Sequence, residues 1–245
     1  MSSKIITVWG GKNSGKTTFS INLACALASR DRLVGLISSN LMFGEHQIFF
    51  GQDVPNHKSL FEALNTENPN IGEKFAVYEE NKNLFFLSLP TKYSGLLCET
   101  VTLQSVEKMI NIASLAFDVL IIDGSPEVSN PISGVGLWFA DTIFTLHKPS
   151  VAALMWYQGM SDFAHEMNIK DKQLHILQAA NGEFDDKTYR EMSEFSVCFE
   201  LPYVKRAGEL QNAGTPMYFF HDRSCKRYNR VFEKITDKIC GGENP

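Results

Sequence analysis

Residues 10 to 17 read Gly-Gly-Lys-Asn-Ser-Gly-Lys-Thr, with four residues between Gly10 and Gly15 and then Lys16 and Thr17. That spacing suits phosphate chemistry. Glycines let successive backbone N–H groups turn inward around phosphate oxygens. A helix starting at Lys16 adds the positive end of its dipole. The Lys16 ammonium has the charge to neutralise β and γ phosphates, and the Thr17 hydroxyl is a ligand for Mg²⁺. The second half of a site of this kind is an acid at the end of a later apolar strand. Asp123, closing "VLIID", fits that place and would hold Mg²⁺ through water. An Asp that merely ends a strand is the plainer reading of that residue, and its pairing with the glycine loop favours the metal role.

These residues need a strand–loop–helix frame, and the surrounding pattern supplies one. Ile5 to Trp9 reads as a buried strand, and Thr17 to Ala28 as a helix with an apolar stripe at Phe19, Leu23, Ala26 and Leu27. Further β-rich runs follow at 33–37, 84–89, 118–123, 142–147, 173–179 and 196–201. Helical patterns fit at about 100–115, 150–167, 185–195 and 222–240. Near-continuous apolar strands alternating with helices predict a doubly wound α/β fold: a mostly parallel sheet of about seven or eight strands with helices on both faces. Ile5, Ile6, Val8, Leu36, Ile37, Leu120, Ile121 and Ile122 are its expected core. The polar stretch from Gly51 to Asn83 reads as a peripheral insertion or short helical region, so residues 1–245 are expected to form a single domain.

Composition narrows the class. Of 245 residues, 44% are hydrophobic and 21% charged, and the net charge is −5. That is ordinary for a soluble domain and gives no global pull toward nucleic acid. Five cysteines without a C-x-x-C pair argue against a disulfide scaffold or zinc ribbon. The histidines show no metal-ligand spacing. The longest apolar region, 134–160, is interrupted by Asp141, His147 and Lys148 and is too broken for a membrane span. With no signal-peptide pattern, the expected location is the cytoplasm.

Three segments together, "VWGGKNSGKTTFSINLACALA", "LVGLISSN" and "FDVLIIDGSP", resemble the ParA/MinD family of P-loop ATPases, as does "LPYVKRAGELQNAGTP" further on. The resemblance spans nearly the whole chain and is weakest between residues 45 and 100. It implies ATP and Mg²⁺ as cofactors, held by Gly11, Lys12, Asn13, Ser14, Gly15, Lys16, Thr17 and Thr18, with Thr17 and Asp123 on the metal. It also implies a homodimer with nucleotide at the interface and slow hydrolysis used to partition DNA or position protein complexes. The adenine is expected near Asn181 and the loop after Pro202, although Asn181-Gly182 reads equally as a plain turn.

Two departures matter. The family's first loop lysine, which reaches across the dimer to the partner's phosphates, falls on Gly11. Lys12 stands one place along, where a loop lysine ordinarily points to solvent. The family's strand-two pattern ends in D-x-D, and its second Asp orients the attacking water. Here the residues are Ser38, Ser39 and Asn40. Asn40 hydrogen-bonds but supplies neither negative charge nor a proton acceptor near neutral pH. With Lys16, Asn40 is the candidate catalytic residue, and Glu45 is a nearby carboxylate in an expected loop. The retained groups predict phosphate and metal binding, and the altered ones predict hydrolysis that is weak or dependent on a partner.

Tyr228, Val231, Phe232, Ile235 and Ile239 form an apolar stripe on the last helix, expected to dock on the core rather than anchor to a membrane. Lys205, Arg206, Arg223, Lys226, Arg227 and Arg230 offer either scattered solvated charge or a patch for nonspecific DNA. Two other functions share such a fold: a CpaE/TadZ-type localisation factor for a secretion or pilus apparatus, and a metabolic ligase or kinase of the dethiobiotin synthetase type.

Overall fold

The computed structural model describes residues 3–65, 70–92, 101–179, 184–193 and 195–241. The strands are β1 (Lys4–Gly10), β2 (Val34–Ser38), β3 (Ala76–Tyr78), β4 (Asn81–Leu87), β5 (Val119–Asp123), β6 (Thr142–His147), β7 (Gln173–Gln178) and β8 (Val197–Leu201). They form one eight-stranded sheet in the order β3-β4-β2-β5-β1-β6-β7-β8. Every pairing is parallel except the β3–β4 edge. The doubly wound α/β reading therefore holds.

The helices are α1 (Lys16–Ala28), α2 (Glu45–Phe50), α3 (Leu60–Asn65), α4 (Leu103–Ala116), α5 (Pro131–Phe139), α6 (Val151–Glu166), α7 (Asp186–Met192), α8 (Ala207–Asn212) and α9 (Arg223–Cys240). The strand residues alternate between two layers, as a period of two demands. Ile6, Val8, Leu36 and Ile121 face a core shared with Phe19 of α1 and Phe232 of α9. Ile5, Ile37, Leu120 and Ile122 face a second core under Val106, Met109 and Ile110 of α4. All eight expected core residues are buried.

The structure differs from the sequence reading in a few elements. α5 fills a stretch to which the pattern assigns no helix. Its start is set by Asn130, whose side-chain oxygen accepts from the N–H groups of Ile132 and Ser133, with Pro131 in the first turn. Gly136 lets this helix lie against the sheet, since a Cβ there would come within 2.9 Å of Ile122. The polar 51–83 region holds α3, a 3-10 turn at Ile71–Lys74 and the antiparallel β3–β4 edge. The α9 stripe packs into the first core, with the Phe232 ring 5.2 Å from Phe19. Arg30 ties the far end of α9 through Asp237 at 2.6 Å. Among the described residues no helix is long and apolar enough to cross a membrane.

Candidate nucleotide and metal site

Parallel pairing aligns three strand ends. Val8 of β1 and Ser38 of β2 both register with Asp123 of β5. The chain leaves β1 through Gly10, at φ +152°, and enters α1 through Gly15, at φ +85°. A Cβ on Gly10 would lie 2.5 Å from the Leu146 carbonyl oxygen and 2.8 Å from Ser14 Oγ, so only glycine fits there. Asn13 takes a left-handed conformation as well, which Asn tolerates.

The loop presents its donors inward. No side chain caps the N-terminus of α1, so its first N–H groups are available to an anion. Ser14 Oγ is buried with no hydrogen-bond partner among the described residues. Lys16 Nζ donates back to the Gly11 carbonyl at 2.8 Å. Burial holds the Lys16 ammonium below its usual value, with the Asp123 and Glu45 carboxylates opposing that shift. These groups fit a polyphosphate. They are an uncapped helix end, an orphan hydroxyl and a desolvated cation that donates to its own loop.

The metal side is equally defined. Asp123 is 4% exposed. Its Oδ1 accepts from Ser20 Oγ at 3.0 Å, and its Oδ2 accepts from His46 Nε2 at 3.2 Å. Each oxygen keeps a lone pair. Thr17 Oγ1 donates to Glu45 Oε1 at 3.3 Å. Among the described residues no group of three or more His, Cys, Asp or Glu side chains could hold a metal ion. Hydroxyl and carboxylate oxygens beside a phosphate cradle instead suit Mg²⁺, which usually takes one or two protein ligands and completes its shell with phosphate and water. Bound there, Mg²⁺ would neutralise phosphate charge.

Ser14, Lys16 and Thr17 lie in or just after the loop with Gly11, Gly15 and Thr18, and the Asp123 carboxylate acts on Lys16 from the end of β5. Lys12 and Asn13 are exposed, and Lys12 has no hydrogen bond or ion pair to a described residue. The Trp156 indole covers Gly11, lying 3.5 Å from where a Cβ would stand, and donates to the Pro126 carbonyl at 3.3 Å. Asn40 is fully engaged. Its Nδ2 donates to Glu45 Oε2 at 3.0 Å, and its Oδ1 accepts from the N–H groups of Met42 and Phe43. Pro202 follows Leu201, which registers with Gln178, and the Gln178 carboxamide lies over Gly15. Asn181 lies outside the described residues.

Sequence reasoning missed Ser20, His46, Trp156 and Gln178. Only Ser20 carried a local signal, one helical turn after Lys16. Arg206 is no free cation, since it pairs with Glu209 at 2.9 Å and lies 3.7 Å from Asp222. Arg223, Lys226, Arg227 and Arg230 instead line one shallow depression on α9.

No protein-family profile matches the chain. Solved structures do. The cell division ATPase MinD of Pyrococcus furiosus superposes with a TM-score of 0.80 at 18% identity, covering 96% of this chain and 99% of that one. The septum site-determining protein MinD of Pyrococcus horikoshii OT3, complexed with Mg-ADP, gives 0.79 at 15% identity and covers 98% of each chain. A ParA family ATPase from Chlorobium tepidum TLS gives 0.78 at 15% identity, covering 95% of this chain and 97% of that one. Over nearly its whole length the chain has the fold of the MinD and ParA ATPases.

Proposed function

We propose that this protein binds ATP with Mg²⁺ and acts as a nucleotide-dependent partitioning or positioning factor, with hydrolysis that is weak or depends on a partner. The carrying observation is the loop after β1. Its uncapped helix end, orphan Ser14 hydroxyl and inward Lys16 lie beside the Thr17 and Asp123 oxygens. The shared fold with MinD and ParA structures supports the same reading. Restrained hydrolysis follows from two positions. Gly11 has no side chain to reach a partner's phosphates, and Asn40 is tied down by three hydrogen bonds.

The proposed working unit is a homodimer closing over the nucleotide. Met42 (69% exposed), Phe43 (49%), Val151 (59%) and Met155 (67%) follow the carboxyl ends of β2 and β6 and would be covered by a second copy. The α9 depression favours nonspecific DNA as cargo. Its four cations stand at i, i+3, i+4 and i+7, and none is in an ion pair among the described residues.

Calorimetry tests the core of this. The purified protein is expected to bind Mg²⁺-AMPPNP with a 1:1 stoichiometry and to hydrolyse ATP slowly unaided. Absence of binding sinks the reading, and fast unaided turnover sinks its second half. Binding to DNA that weakens steeply with salt supports DNA as the cargo, whereas its absence with nucleotide present points to a protein cargo.

A further inference from the structure

We propose that Glu45 and His46, neighbours at the start of α2, are positioning residues that each hold one of the two magnesium ligands. Glu45 would hold Thr17, His46 would hold Asp123, and Asn40 would keep Glu45 in place. The inference rests on the reading that Thr17 and Asp123 face the metal.

A hydroxyl has one hydrogen and two lone pairs. By giving its hydrogen to Glu45 Oε1 at 3.3 Å, Thr17 keeps both lone pairs for a cation. The second Glu45 oxygen accepts from Asn40 at 3.0 Å, so the carboxylate is fixed at both ends. Asn40 cannot swing away, because its own oxygen is held by two backbone N–H groups. The carboxylate that strand two lacks is therefore delivered from α2, one turn of chain later, onto the metal ligand itself.

His46 does the matching task for Asp123. A carboxylate only accepts, so the contact at 3.2 Å requires the hydrogen on Nε2. The ring is fully buried and its Nδ1 has no partner. Burying that nitrogen unpaired is unfavourable, and among the described residues the ring's one hydrogen bond is with Asp123. Gln47, the next residue, pins α2 by donating to the Leu89 carbonyl at 2.6 Å and accepting from the Val54 N–H at 3.2 Å. Consecutive side chains from one anchored helix thus reach ligands on α1 and β5. Partners of metal ligands that fix their orientation typically matter by 10- to 100-fold in metal affinity.

The experiment is calorimetry of AMPPNP with Mg²⁺ and again with EDTA, on wild type and on Glu45→Gln. The substituted side chain would turn an amide nitrogen either toward the Asn40 amide, losing that bond, or toward Thr17, where it would donate and occupy a hydroxyl lone pair. The gain in affinity that Mg²⁺ confers, taken for each protein as the ratio of its affinities with Mg²⁺ and with EDTA, is expected to fall about tenfold. Asn40→Ala should lower the same gain by less. His46→Leu should lower it too, and His46→Gln, whose amide can donate to Asp123, should restore part of it. A Glu45→Gln protein that keeps the full Mg²⁺ gain overturns the proposal and leaves the nucleotide site standing. A wild type that binds nucleotide equally with and without Mg²⁺ overturns the proposal and the metal assignment. A wild type that binds none removes both with the site itself.

Discussion

Two polar clusters lie on this sheet, and they are finished differently. One gathers where β1, β2 and β5 end: Lys16, Thr17, Asn40, Glu45, His46 and Asp123. The other lies between β6 and β7, where His147 Nε2 meets His175 Nδ1 at 3.0 Å and His147 Nδ1 meets the Tyr189 hydroxyl at 3.1 Å. The first carries charge and leaves capacity over: an orphan hydroxyl on Ser14, free lone pairs on Asp123, a lysine folded onto its own loop. The second is roofed by Phe195, stacked 4.0 Å from one imidazole and 4.3 Å from the other. Its hydrogen bonds are internal and its walls are aromatic. A polar cluster with spare donors and acceptors has groups to offer a ligand, whereas one that pairs within itself serves the core.

Acid provides the largest expected break between them. Burial lowers the His147 value from 6.5 to about 3, with the neighbouring His175 adding to the effect, and burial lowers His175 from 6.5 to about 4. Both rings are therefore neutral in the fold and take up protons on unfolding. Above pH 6.5 neither state is protonated and the pair costs nothing. As pH falls from 6.5 toward 4 the unfolded chain binds two protons that the native state refuses, so stability is lost across that window. At about 1.4 kcal/mol per pH unit for each ring below pH 6.5, lowering the pH from 7 to 5 should cost about 4 kcal/mol. Urea melts at the two pH values read the loss. Imidazole resonances followed by NMR should show these two rings untitrated down to pH 5, and midpoints near 6.5 in folded protein would refute the assignment.

Lys16→Ala comes next. It removes the cation of the first cluster and touches nothing in the second. Loss of a desolvated charge from a phosphate site should weaken Mg²⁺-AMPPNP binding about 100-fold, or about 2.7 kcal/mol. The urea midpoint should barely move. A large loss of stability with binding retained would mean that this lysine belongs to the architecture after all.

The two clusters were not equally legible in the sequence. Gly10, Gly15, Lys16 and Thr17 fall within eight consecutive residues and Asp123 ends an apolar run, so spacing and periodicity reveal them without a fold. Glu45 and His46 meet Thr17 and Asp123 across 28 and 77 residues, and no local pattern encodes that. Trp156 over Gly11 is hidden for the same reason. α5 was illegible because Gly134 and Gly136 weaken its helical pattern, while its stability comes from packing on the sheet and its Asn130 cap. β3 is three residues long, too short for alternation to register. His147 registers in the sequence only as an interruption of an apolar stretch, because its partners His175 and Tyr189 lie 28 and 42 residues away.

Tyr189→Phe sharpens the contrast at the smallest scale. The Tyr189 side chain is fully buried, and its hydroxyl meets His147 Nδ1. Removing that oxygen leaves the ring packing intact but orphans a buried imidazole nitrogen, which costs about 1–2 kcal/mol. Urea melts at pH 7 should show that loss, and calorimetry should show Mg²⁺-AMPPNP affinity unchanged. The pairing of outcomes carries the argument, since Lys16→Ala should move binding and spare stability while Tyr189→Phe should do the reverse. A Tyr189→Phe protein with weakened nucleotide binding would join the two clusters into one site, and the distinction drawn from their unused donors and acceptors would fail.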